Sequence, residues 1–151
     1  GKKAGIYGMI GGQAADIEAE SGGQVTEELL LFIHENKTAA LIQAAMMIGA
    51  ILAGADKKAV LAMEKAAYNI GIAFQIQDDI LDVTSTLEVL GKPVGSDEKN
   101  HKLTFVTLHG LEEAREEVRK LSEEALFILR SFEHKNDFLV ELVDSLITRE
   151  K

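Results

Sequence analysis

A single proline, Pro93, stands among 151 residues, and Ala, Leu, Glu and Lys, all strong helix formers, recur throughout. No segment keeps up a strand-like alternation of apolar and polar residues. A chain with so few breakers and no two-residue period has one economical solution, which is to pack long helices side by side. The fold class is therefore all-α, a helical bundle, read as one domain over residues 1–151.

The breakers that exist divide the chain. Residues 8 to 19 read as a helix carrying Gln13 and Asp16, and Gly22 and Gly23 end it. Thr26 with Glu28, or Ser21 upstream, offers a cap for E-E-L-L-L-F-I-H. A second helix is expected from about Lys37 to Gly54, and Asp56 suits the cap of a third, from about 57 to 84. Residues 85 to 101 hold the proline and two glycines and form the long loop. Beyond it, Leu111, Ala114, Val118, Leu121, Ala125 and Ile128 recur at helical spacing opposite a charged face, and residues 137 to 149 make a short amphipathic helix.

Composition narrows the function. A formal net charge of −9 would repel phosphate backbones, so no nucleic-acid partner is expected. Without cysteine there is neither a disulfide scaffold nor a thiolate metal site. That fits a reducing compartment, and a cytoplasmic location is expected. His34, His101, His109 and His134 lack zinc spacing. Thr38 to Ala55 carries no charge, but its alanines, glycines and Gln43 make it too weakly apolar for a membrane span. It reads instead as a close-packed central helix, with Met46 and Met47 as packing residues. No secretory signal opens the sequence, and because it begins inside a motif without Met, a piece of a longer protein is expected.

The sharpest chemical signal is F-Q-I-Q-D-D-I-L-D-V, residues 74 to 83. On a wheel of about 100° per residue with Gln75 at zero, Asp82 falls near about −20°, Asp78 near about −60° and Asp79 near about +40°. Ile76, Ile80 and Val83 flank this arc on one side, and Phe74 and Leu81 on the other. A solvated acidic face is the plain reading of such a cluster. A solvated face, however, is usually wider and mixes signs. Like charges between apolar neighbours raise one another's pKa, and a hard divalent cation relieves that conflict. Mg²⁺ takes oxygen ligands and is typically held by one or two carboxylates together with substrate phosphates.

This stretch, followed by G-K-P-V-G-S-D (91 to 97) and K-L-T (102 to 104), resembles the second aspartate-rich motif of the trans-isoprenyl diphosphate synthases, or polyprenyl synthetases. G-M-I-G-G-Q-A-A-D-I (8 to 17) is similar to the family's GMxxGQxxD helix, and K-T-A-A-L-I (37 to 42) to its lysine-threonine helix. The four matches keep the family's order. They look most like bacterial farnesyl and geranylgeranyl diphosphate synthases. The family's first aspartate-rich motif and the arginine pair after it have no counterpart here, so the resemblance implies the C-terminal half of such an enzyme.

The resemblance implies a fold of the isoprenoid synthase type. It also implies a Mg²⁺-dependent prenyltransferase that condenses isopentenyl diphosphate with an allylic diphosphate in isoprenoid biosynthesis. Asp78 would be the principal metal ligand, with Asp79 and Asp82 binding through water or in support. Lys37, Lys92 and Lys102 would contact the allylic diphosphate, and Thr38 and Gln75 would turn oxygen dipoles toward the cationic carbon. Lys37, Thr38, Gln75 and Asp78 are thus the catalytic candidates. Read without the resemblance, the three lysines are ordinary solvated side chains. Gln13 and Asp16 either satisfy one another inside the bundle or face substrate. The family forms homodimers, so either a homodimer or pairing with a chain bearing the other half is expected, and the isolated chain is expected to be inactive. Two rivals remain: a non-catalytic helical subunit of another prenyltransferase, and a class I terpene cyclase. The cyclase motif NDxxSxxxE finds no match.

Overall fold

The computed structural model describes residues 1–22, 25–84, 103–134 and 136–147, and no strand occurs among them. A short 3-10 turn, Lys2–Ala4, leads into α1, Met9–Glu20. Then come α2 (Glu27–Ile33), a π-helical segment (His34–Ala39), α3 (Ala40–Leu52) and the long α4 (Lys57–Thr84). After the undescribed 85–102 follow α5 (Phe105–His109), α6 (Leu111–Arg130) and α7 (Asp137–Ile147).

Local chemistry accounts for the starts. Thr26 Oγ1 accepts the backbone N–H of Leu29 at 3.2 Å, and Asp56 Oδ1 accepts that of Ala59 at 2.7 Å. Both satisfy amides that would otherwise lack an intrahelical partner. At α5, Thr104 and Thr107 cap each other reciprocally.

The 28-residue α4 is the spine. It packs along α6 on one flank and against α3 and the π-helical segment on another. Ala66, Ile70, Ala73, Ile76 and Ile80 of α4 meet Ala114, Val118, Leu121, Ala125 and Leu129 of α6 in one apolar core. Small residues let the two axes approach, while the isoleucines fill the space between them. Across this seam the fully buried Asn69 donates through Nδ2 to Glu124 Oε2 at 3.0 Å.

Two expectations need correction. No break precedes Lys37: α2, the π-helical segment and α3 run as one continuous helical rod from Glu27 to Leu52. The polar run His34–Glu35–Asn36–Lys37 interrupts the apolar period and imitates a boundary, yet it holds neither Pro nor Gly to stop a helix. An i→i+5 widening absorbs the misfit instead. Nor is α3 central. Ala40 and Gln43 are buried against α4, whereas Ile48, Ile51 and Leu52 are exposed, Leu52 at 82%. Of the described elements only α4, the π-helical segment and the 3-10 turn pack on it substantially, so its other side stands open.

Candidate functional site

The site is organised around the π-helical segment, which carries Lys37 and Thr38. A wide turn of this kind holds its backbone amides and side chains out of the regular helical rows, and such turns recur at functional positions. Two glycines clamp it. A Cβ on Gly12 of α1 would lie 2.3 Å from the backbone nitrogen of Lys37 and 2.7 Å from the carbonyl carbon of Asn36. A Cβ on Gly71 of α4 would lie 2.5 Å from Cα of Ala39. Each glycine thus permits a backbone-to-helix approach that no side chain would allow.

Polar contacts complete the clamp. Lys37 Nζ donates to Asp16 Oδ2 at 2.5 Å, with Asp16 9% exposed and Lys37 34%. Tyr68 Oη donates to Glu35 Oε1 at 2.6 Å. Partial burial, and then the Glu35 carboxylate, push the Tyr68 phenol well above its usual range. Asn36 Nδ2 donates to the carbonyl of Phe32 at 2.9 Å, inside the same rod.

The acidic stripe emerges from this clamp. At about 100° per residue, Tyr68, Gly71, Gln75, Asp78, Asp79 and Asp82 share one face of α4. Gly71 presses that face on the π-helical segment, and the acids follow within the next three turns. Gln75, Asp78, Asp79 and Asp82 are all half-buried, beside Ile76 and Ile80, which are buried. Asp79 is turned toward α5, where its Oδ2 accepts the backbone N–H of Phe105 at 2.9 Å. An anion there also complements the positive end of that short helix. The Oδ2 of Asp82 is shut off from solvent.

The donor set suits Mg²⁺. It consists of hard carboxylate oxygens, with Asp78 and Asp82 one helical turn apart. Among the described residues no three His, Asp or Glu side chains converge on one point. An ion held here would therefore draw the rest of its shell from water and ligand oxygens, as Mg²⁺ commonly does.

The geometry brings Lys37 together with Asp16 and sets the segment bearing Lys37 and Thr38 beside the face bearing Gln75, Asp78, Asp79 and Asp82. Lys92 and Lys102 lie outside the described residues. Asp16 pairs with Lys37 rather than with Gln13, the partner the sequence offered. Sequence reasoning missed Tyr68 and Gly71, although running the wheel two turns toward the start of α4 places both on the acidic face. A cavity of about 440 Å³ adjoins the segment, lined in part by Lys3, Glu35, Gln43, Glu64 and Tyr68. Within it, Lys3 Nζ meets Glu64 Oε1 and Gln43 Oε1, each at 2.7 Å.

The sequence and the fold both match those of known proteins. The polyprenyl synthetase family profile matches residues 3–143, and the chain belongs to that family. It is 43% identical to farnesyl diphosphate synthase of Escherichia coli (strain K12), over 98% of this chain and 50% of the relative. It is 45% identical to dimethylallyltranstransferase of Fischerella ambigua (strain UTEX 1903), over 96% of this chain and 42% of the relative. The fold matches a geranyltransferase from Helicobacter pylori complexed with magnesium and isoprenyl diphosphate. That match has a TM-score of 0.74 and 35% identity, covering 97% of this chain and 48% of that one. The chain thus spans about half the length of the relatives it matches. The relatives named here are transferases of prenyl groups. No helix among the described residues is long and apolar enough to cross a membrane.

Proposed function

We propose that this chain carries the diphosphate-gripping half of a Mg²⁺-dependent short-chain prenyltransferase that condenses isopentenyl diphosphate with an allylic diphosphate. The observation that supports it best is the shared α4 face, where Gly71 seats the lysine-bearing π-turn directly before Gln75, Asp78, Asp79 and Asp82. Anion-binding ammonium and metal-binding carboxylates on adjoining elements suit one ligand, a metal-bound diphosphate.

Asp78 would be the principal metal ligand. Asp79 and Asp82 would act through water or in support, which fits the engagement of Asp79 with Phe105. Bound there, Mg²⁺ would supply the positive charge that a departing diphosphate needs. Lys37, with Lys92 and Lys102, would hold diphosphate oxygens and stabilise the charge that builds on them as the allylic C–O bond ionises. Thr38 and Gln75 would present oxygen dipoles to the allylic cation. The π electrons of isopentenyl diphosphate then form the new C–C bond, and loss of a proton restores a double bond. The 151 residues hold one aspartate-rich motif where this chemistry uses two facing ones, so the polypeptide alone is expected to bind but not to turn over.

Incubation of the polypeptide with labelled isopentenyl diphosphate and an allylic diphosphate tests this. No product is expected from the chain alone, and product is expected once a chain bearing the other aspartate motif is added. Condensation by the chain alone would refute its dependence on that second motif.

A second reading has its own observation. Exposed Ile10 and Ile17 on α1, and Ile48, Ile51 and Leu52 on α3, fit a non-catalytic helical subunit covered by another prenyltransferase chain. In a reconstituted complex, Asp78→Asn leaves condensation intact under this reading and abolishes it under the first.

A further inference from the structure

We infer that Asp16 is a positioning residue whose carboxylate fixes the Lys37 ammonium in its diphosphate-binding pose. This inference rests on the functional reading above. Asp16 sits late in the 12-residue α1, followed by Glu18 and Glu20, with no basic residue in the last turn. Negative charge is disfavoured near a helix C-terminus. The nearly buried position of Asp16 is unfavourable as well, unless a cation meets it. Lys37 supplies that cation from 21 positions away in sequence.

What distinguishes the pair from an ordinary ion bridge is that α1 holds Lys37 at both ends. Gly12 abuts the Lys37 backbone nitrogen, and Asp16, one turn further along α1, takes the ammonium at 2.5 Å. A four-carbon stem pinned at both ends loses most of its rotamer freedom before any ligand arrives. The ammonium has three hydrogens. With one directed to Asp16 and the side chain 34% exposed, the others are available to an incoming anion. Ordering has thus been completed in advance, which favours binding.

Electrostatics alone predicts the opposite sign. Removing a negative charge beside a phosphate-binding lysine should tighten binding of a polyanion. The test is calorimetric titration with Mg²⁺ and inorganic pyrophosphate, with helical content checked by circular dichroism. Asp16→Asn should weaken binding about threefold to tenfold. In a Lys37→Gln background the same change should cost nothing further, because Asp16 acts through Lys37. Equal or tighter binding by Asp16→Asn, or an equal loss in both backgrounds, overturns the inference. If the unsubstituted chain binds nothing, the functional reading falls first and the inference falls with it. Should Asp16→Asn fail to fold, lysine side-chain nitrogen NMR of the unsubstituted chain decides. A slowly exchanging Lys37 ammonium signal is expected, and an ammonium exchanging as fast as free lysine contradicts the inference.

Discussion

Gly71 and Ala39 meet so closely that a single methyl on the glycine would fall 2.5 Å from the Cα of the alanine. This contact joins the helix that carries the acids to the segment that carries Lys37 and Thr38, and it involves backbone, which cannot swing aside. Helix propensity alone favours Gly71→Ala by about 1 kcal/mol. Overpacking against Ala39 should outweigh that gain and leave a net loss of about 1–3 kcal/mol, seen as a lower urea midpoint. An unchanged or higher midpoint would show that the two helices separate easily.

Asp79 of the acidic stripe is tied to the start of α5. Asp79 accepts the Phe105 amide, so Asp79→Ala should leave a part-buried donor unsatisfied and cost about 1–2 kcal/mol of stability. Denaturation midpoints of Asp79→Ala and the unsubstituted chain measure the loss, and an unchanged midpoint would contradict this role for Asp79.

Tyr68 links the fold to alkaline pH. Burial and the Glu35 carboxylate raise its folded-state pKa above the unfolded value of about 10. The folded state therefore holds its phenolic proton more tightly than the unfolded chain does. Stability from this source is fully present below about pH 10 and declines as pH rises beyond it. Tyr68→Phe should lose about 1 kcal/mol at neutral pH, with the hydrogen bond to Glu35. It should also show a shallower decline between about pH 10 and 12. Parallel stability curves for the two proteins would contradict this assignment.

Much of the fold was legible because local signals agreed with one another. Thr26 and Asp56 cap the helices they were expected to cap, and α4 is helical throughout its described length, Lys57–Thr84. The π-helical segment was not legible, because its polar residues imitate a break and the glycines that pack on it, Gly12 and Gly71, are both distant in sequence. The exposure of α3 was hidden for a related reason. An apolar sequence reports that a helix needs covering but not how many neighbours cover it. At the site, the narrow arc of Asp78, Asp79 and Asp82 could be read from periodicity alone. The partner of Asp16 could not, since an ion pair across 21 residues leaves no local trace.

The central claim is that the acids of α4 and Lys37 grip a metal-bound diphosphate together, and calorimetry with Asp78→Asn tests it most directly. Pyrophosphate with Mg²⁺ should give binding heat to the unsubstituted chain, whereas either component alone should give far less. In Asp78→Asn the heat of the combination should fall at least about tenfold in affinity. No heat from the combination, or the same affinity in both proteins, would contradict the account.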